Sequence, residues 1–140
     1  MGFLSTVLFV LVGTILTVVV QSSSAAMTLT LVLCANGTIP FEAAAAMVLG
    51  ENIGTTITAN LAAMVGNVHA KRTARAHFIF NIVGVIWMLI AFEGFMYLIN
   101  QYMVDSGAGS PYTVDGSVPT AISIFHTTFN ILNVLFLVWW

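Results

Sequence analysis

The sequence predicts an all-α membrane protein. Of its 140 residues, 59% are apolar and only 6% are charged, and the mean hydropathy is +1.03. A chain of this composition cannot build a water-soluble surface, so the bilayer must be its solvent. Because one crossing needs about 20 residues, the chain supplies a few helices and no separate soluble domain. We therefore interpret residues 1–140 as a single transmembrane unit.

The first two apolar stretches, 3–20 and 25–35, are separated by the polar cluster Gln21–Ser24. A helix over the 11 residues of the second stretch rises only about 16 Å, roughly half the hydrocarbon core. This stretch is therefore too short to cross the membrane alone. We predict that residues 3–35 form a re-entrant helical hairpin whose turn lies near mid-depth.

The next stretch, 41–66, combines apolar segments with a polar interruption, G-E-N-I-G-T-T at 50–56. We predict one broken transmembrane helix, with helical segments at 42–49 and 57–65. Non-helical backbone at membrane depth is tolerated only where protein or a water-filled cavity satisfies its polar groups. Two such interruptions in one small chain indicate a shared cavity.

The chain's basic residues all lie in one segment, 67–76, and they are Lys71, Arg72 and Arg75. By the positive-inside rule, we predict that this segment is a cytoplasmic loop. Uninterrupted transmembrane helices are predicted over 77–99 and 121–140, with the polar loop between them outside. Both ends of the hairpin then fall on the outer side, which agrees with a re-entrant arrangement.

The two polar motifs predict an ion site built from helix ends. Helices that begin near Ser24 and Thr56 would direct unpaired N–H groups and a partial positive charge into the membrane. The hydroxyl groups beside these helix ends belong to Ser22, Ser23, Ser24, Thr55 and Thr56. The set suits a small anion such as phosphate, and sulfate or a carboxylate would fit as well.

The preceding helices, which end near Val20 and Leu49, would present unpaired carbonyl oxygens at the same two places. Gln21 and Asn52 add side-chain carbonyl oxygens, which are hard ligands of the kind that suits Na⁺. The alternative is that each motif only packs helices, because small polar residues are common at helix interfaces in membranes.

Three segments carry a resemblance to a known family: QSSSA at 21–25, GENIGTT at 50–56 and ARAHFIFNIVG at 74–84. Together they resemble the sodium-dependent phosphate cotransporters of type II, with one QSSS repeat that is most similar to the second. The resemblance implies sodium-coupled symport of inorganic phosphate, with Na⁺ as coupling ion. It implies phosphate contacts at Ser22, Ser23, Ser24, Thr55 and Thr56, and sodium contacts at Gln21, Ser22, Asn52 and Thr55.

The resemblance also implies that this chain is half of an inverted-repeat transporter. The partner is then either a missing repeat in a longer protein or a second copy of the chain. The different functional class left open is a non-transporting accessory or interaction module of the membrane. We expect the bacterial inner membrane as the location.

Three other polar or charged residues cannot be assigned a function from the sequence. Glu51 is interpreted either as a cation contact or titrating group, or as a residue that only faces the aqueous cavity. Glu93 is either functional or interfacial, and His126 either lines the cavity or packs between helices, so all three roles stay open. The sequence shows no metal cluster with ligand spacing, no nucleophilic triad and no P-loop. We therefore expect no enzyme activity, no organic cofactor and no nucleic-acid partner.

Overall fold

The chain folds into a bundle of α-helices. A computed structural model describes residues 1–139, except for the side chain of Asp115; the last residue of the predicted span 121–140 therefore lies outside the described residues. In this part of the chain the helices are α1 (Phe3–Val20), α2 (Ser23–Ala35), α3 (Phe41–Ala63), α4 (Val68–Asp105) and α5 (Val118–Leu137), with a 3₁₀ turn at Asp115–Ser117. Within residues 1–139 no strand occurs.

Three of the described helices, α1, α4 and α5, are long and apolar enough to cross a membrane. Much of the surface of α1 is exposed and apolar, as expected of a helix that faces lipid. Helix α3 is the centre of the bundle instead, because its residues 43–51 are all buried. The chain is therefore an integral membrane protein in which residues 43–51 of α3 are enclosed by the other helices.

Helices α1 and α2 form an antiparallel pair joined by only two residues. Contacts show that α1 runs parallel to α3: the amino group of Met1 lies 2.7 Å from a Glu42 oxygen, and Thr14 donates to the Gly50 carbonyl at 3.0 Å. Helix α2 runs the opposite way, since it passes Glu51 at Thr30 and ends just before α3 begins. The placement of this hairpin as re-entrant in a bilayer stays a prediction.

The predicted break at 50–56 is wrong, because α3 is continuous from Phe41 to Ala63. Two of the four polar side chains in this segment form hydrogen bonds within their own helix: Thr55 donates to the Glu51 carbonyl at 2.8 Å and Thr56 to the Ile53 carbonyl at 2.7 Å. Such bonds to the preceding turn let Thr remain in a helix without unpaired hydroxyl groups.

The glycines of the same segment serve close packing. A Cβ added at Gly50 would overlap the Val10 carbonyl, and one added at Gly54 would lie 2.6 Å from Thr17 Cβ. On the facing helix, a Cβ at Gly13 would overlap the α3 backbone. The pair Gly50–Gly54 is thus a G-x-x-x-G motif that lets two membrane helices approach backbone to backbone.

The predicted loop over 67–76 is also wrong, because α4 begins at Val68 and contains all three basic residues. The actual connection covers only 64–67, and the Asn67 side chain caps the helix by accepting from the Ala70 N–H at 2.9 Å. Ala, Lys and Arg are strong helix formers, which explains why this polar segment continues the helix. At about 1.5 Å per residue, α4 is about 57 Å long and exceeds a hydrocarbon core of about 30 Å.

Asn133 of α5 forms two hydrogen bonds with α4 in an apolar interface. Asn133 is fully buried; its oxygen accepts from Trp87 Nε1 at 3.0 Å, and its nitrogen donates to the Phe80 carbonyl at 3.3 Å. Gly84 makes room, since a Cβ there would lie 2.6 Å from the Asn133 oxygen. Aromatic pairs such as Phe92 with Phe125 complete the interface.

Candidate functional site

The turn between α1 and α2 presents an open helix N-terminus. Gln21 has a left-handed backbone with φ of 57°, and its N–H closes α1 by donating to the Thr17 carbonyl at 2.7 Å. Ser22 is extended and caps α2, since its hydroxyl oxygen accepts from the Ala25 N–H at 3.3 Å. The first two N–H groups of the helix, those of Ser23 and Ser24, have no acceptor within the helix.

The side chains of this turn are accessible. Gln21 and Ser24 are exposed, and Ser22 and Ser23 are half-buried. A helix N-terminus carries a partial positive charge, and three hydroxyl groups lie beside it. This half of the predicted site is therefore a cluster of hydrogen-bond donors that suits an anion.

The second motif has a different structure from the one predicted. Because α3 is continuous, no helix begins at Thr56, and the idea of two convergent helix N-termini is wrong. Thr55 is half-buried and Thr56 is fully buried, with both hydroxyls donating within their own helix. Among residues 1–139, no hydrogen bond joins Ser22–Ser24 to Asn52, Thr55 or Thr56.

The two motifs nevertheless lie at similar heights in the bundle. Gly54 of α3 packs on Thr17 of α1, one helical turn before Gln21. Because α1 and α3 are parallel, Thr55 and Thr56 lie within about a turn of the α1–α2 connection. Asn52 adds an unsatisfied group in this region, since its side-chain nitrogen is buried and has no hydrogen-bond partner.

Glu51 is the polar residue whose environment the sequence did not reveal. It is only 2% exposed, and one carboxylate oxygen accepts from the Thr30 hydroxyl of α2 at 2.7 Å. The other oxygen is buried and has no partner. The pairing with Thr30 depends on how α2 packs on α3, and no local pattern in the sequence signals it.

A buried carboxylate without a cationic partner is costly, especially in a membrane. The chain's basic side chains cannot serve, because Lys71, Arg72 and Arg75 are exposed near the start of α4. Two unsatisfied polar atoms therefore lie on neighbouring residues, a carboxylate oxygen of Glu51 and the amide nitrogen of Asn52. A carboxylate oxygen is a hard ligand that suits a small cation.

The structure does not bring Glu93 or His126 to this region by any described contact. Glu93 is exposed and lines a cleft with Met1 and Glu42, which lie at the opposite end of α1 and α3. His126 is half-buried on α5, and the neighbouring Asn130 donates to its backbone carbonyl at 2.8 Å. Among the described residues, no group of three metal-ligating side chains occurs.

The chain matches the family model described as Na⁺/Pi-cotransporter over residues 4–109. This match includes the α1–α2 hairpin, all of α3 and all of α4. The chain belongs to the Na⁺/Pi-cotransporter family. Helix α5 lies beyond the matched residues.

Relatives in bacteria and mammals agree with this membership. The chain is 43% identical over 79 residues to the uncharacterized protein YqeW of Bacillus subtilis, covering 56% of this chain and 26% of the relative. It is 42% identical over 94 residues to sodium-dependent phosphate transport protein 2C of Mus musculus, covering 64% and 16%. It is 42% identical over 96 residues to protein 2B of Homo sapiens, covering 65% and 14%.

The matched segments thus cover between 14% and 26% of the length of these relatives. No solved structure matches the chain.

Proposed function

We propose that this chain is one repeat of a sodium-coupled phosphate symporter and that the α1–α2 turn is its phosphate contact. The observation that carries the proposal is the open N-terminus of α2, where free N–H groups and three serine hydroxyls lie between two apolar helices. Membership of the Na⁺/Pi-cotransporter family supports phosphate as the anion. Secondary transporters bind anionic substrates at such half-helix N-termini.

In this proposal Ser22, Ser23 and Ser24 donate to phosphate oxygens, together with the N–H groups at the start of α2. Thr55 and Thr56 contribute from α3. Each hydroxyl now donates to its own helix, so it must rotate away from that carbonyl before it can donate to phosphate. Thr55 is half-buried and Thr56 is buried, so we expect Thr55 to contribute more.

We propose that sodium binds through oxygen atoms of Gln21, Ser22, Asn52 and Thr55. The buried Glu51 carboxylate supports this assignment, because its free oxygen provides negative charge beside Asn52. A sodium ion there would offset the cost of the buried charge. Phosphate and sodium then bind cooperatively, since each provides the charge that the other needs.

The second half of the site comes from another protein element. Gln21 and Ser24 are exposed, and polar groups exposed at membrane depth would face lipid unless protein or a water-filled cavity covers them. We propose that a second repeat, in a longer protein or in a second copy of this chain, covers this face in inverted orientation. Movement of one repeat against the other then gives alternating access.

The test is uptake of radiolabelled phosphate into proteoliposomes that contain the purified chain, with an inward sodium gradient or with choline. We expect sodium-dependent uptake, and we expect Ser23→Ala to lower it at least tenfold, because a hydrogen bond to a charged group contributes about 1.5–3 kcal/mol. Ser123→Ala is the matched control, since Ser123 is exposed on α5 and donates only to the Pro119 carbonyl.

Equal uptake with sodium and with choline would contradict sodium coupling. Loss of uptake with retained phosphate binding would indicate that the chain needs a separate second repeat. A chain that neither binds nor transports phosphate would be the non-transporting membrane module that the sequence leaves open.

A further inference from the structure

A basic cleft lies where α3 ends and α4 begins. It has a volume of about 400 Å³, and one wall is apolar, formed by Ile57, Leu61 and Met64. Lys71 and Arg75 line the other wall. These two residues are one helical turn apart, so their side chains lie on the same face of α4. Arg72, the third basic residue, does not line the cleft.

Asn60 fixes the geometry of this cleft. Its side-chain nitrogen donates to the Thr56 carbonyl of its own helix at 2.8 Å and across to the Ala74 carbonyl of α4 at 2.9 Å. Ala74 is buried and lies between the two basic residues in sequence. The bond therefore holds the basic face of α4 against the end of α3.

Within the part of the chain that the structure describes, neither Lys71 nor Arg75 forms a salt bridge. Among residues 1–139, the only salt bridge joins Met1 and Glu42, at the other end of α3. Glu93 lines the cleft at that other end too, and Glu51 is buried in the bundle. The first turn of α4 contains no acidic residue, and the N-terminus of this helix adds its own partial positive charge. This end of the molecule therefore attracts an anion.

We propose that the cleft is a second anion site, separate from the α1–α2 turn, and that it binds a phosphate group through Lys71 and Arg75. The guanidinium group of arginine matches two phosphate oxygens, and lysine adds a point charge. Two sources can supply the bound phosphate group: the headgroup of an anionic phospholipid, or free inorganic phosphate. The apolar wall suits a lipid, because Leu61 and Met64 are more than half exposed and continue from the cleft onto the outer surface.

The experiment is native mass spectrometry of the full chain in a neutral detergent, titrated with dioleoylphosphatidylglycerol or with dioleoylphosphatidylcholine. We expect one tightly held phosphatidylglycerol, and we expect Lys71→Ala and Arg75→Ala each to weaken it at least tenfold. Arg72→Ala is the matched control and should change the affinity less than twofold. All three side chains are exposed, so the variants should fold, which circular dichroism checks.

A second arm adds inorganic phosphate at constant ionic strength, with chloride as the reference salt. Displacement of the lipid by phosphate but not by chloride identifies free phosphate as a ligand of the same cleft; no displacement identifies the lipid as the source. Equal weakening by Arg72→Ala, Lys71→Ala and Arg75→Ala would overturn the proposal, since it would show general attraction to a charged surface. Absence of any bound phosphatidylglycerol or phosphate would overturn it as well. Neither result depends on uptake, so this proposal and the transport function can fail separately.

Discussion

Single residues decide where charge is tolerated inside this bundle, and Glu51 is the clearest case. Its carboxylate is 2% exposed, Thr30 donates to one oxygen, and the other oxygen has no partner. Burial disfavours the charged form unless a cation compensates it. The sequence placed Glu51 beside the second motif but did not distinguish a buried position from one that faces an aqueous cavity.

We expect Glu51→Gln to stabilise the chain without sodium and to remove its stabilisation by sodium. An unsatisfied buried charged group costs about 1–3 kcal/mol or more, and the substitution removes that charge while keeping the size. The measurement is the melting temperature in detergent, in sodium chloride and in choline chloride. Glu93→Gln is the control, because Glu93 is exposed. A variant that keeps the full sodium response would contradict sodium binding at Glu51.

At the scale of helices, close backbone contacts at glycines allow α1 and α3 to pack together. Gly13 and Gly50 leave no space for a Cβ between α1 and α3, while Gly94 of α4 has open space around it. A sequence motif that looked like a helix break is therefore a packing surface. The distinction depends on which helix faces Gly50, and that is not a local property of the sequence.

Gly50→Ala and Gly94→Ala should change stability in opposite directions. Overpacking at Gly50 forces α1 away from α3 and should cost about 1–3 kcal/mol or more. At Gly94 the same change removes backbone freedom in an exposed helix and should gain about 0.5–1 kcal/mol. Chemical denaturation of the chain in mixed micelles measures both. Equal effects would show that helix propensity, and not the α1–α3 contact, decides the result.

Asn133→Ala should loosen α5 from α4. The change leaves Trp87 Nε1 and the Phe80 carbonyl without their partner, and each lost buried bond costs about 1–3 kcal/mol. We expect a lower melting temperature and altered tryptophan fluorescence. Asn130→Ala is the matched control, because Asn130 donates only to the His126 carbonyl of its own helix. Equal changes in melting temperature and fluorescence for the two variants would contradict a stabilising role of the Asn133 contacts.

At the scale of the whole molecule, the sequence predicted the membrane class and the first turn. The membrane class follows from the apolar composition, and the turn at Gln21–Ser22 follows from the polar cluster Gln21–Ser24 between two apolar stretches. The errors at 50–56 and 67–76 share one cause, since polar residues were taken as the ends of helices. In the structure Thr55 and Thr56 bond to their own helix, and Lys71, Arg72 and Arg75 lie on α4. The contact of Thr30 with Glu51 could not be predicted from the sequence, because it depends on how α2 packs on α3.

The length of α4 predicts that its two ends project on opposite sides of the membrane. Cysteine placed by Arg72→Cys should react with an impermeant maleimide only from the cytoplasmic side, and cysteine placed by Gly107→Cys only from the outside. The chain with Cys34 alone, which is buried, is the control for background labelling. Labelling of both positions from the same side would contradict a single crossing by α4.

The glycine contacts between α1 and α3 also have a mechanical consequence. Helices whose backbones interlock at Gly13, Gly50 and Gly54 cannot slide along each other without first moving apart. The two helices therefore move as one rigid pair. Helix α2 is connected to this pair through Gln21 and Ser22 and packs on α3, where Thr30 donates to Glu51. We therefore expect any movement of α2 relative to this pair to change the backbone dihedral angles at Gln21 and Ser22, next to Ser23 and Ser24 at the start of α2.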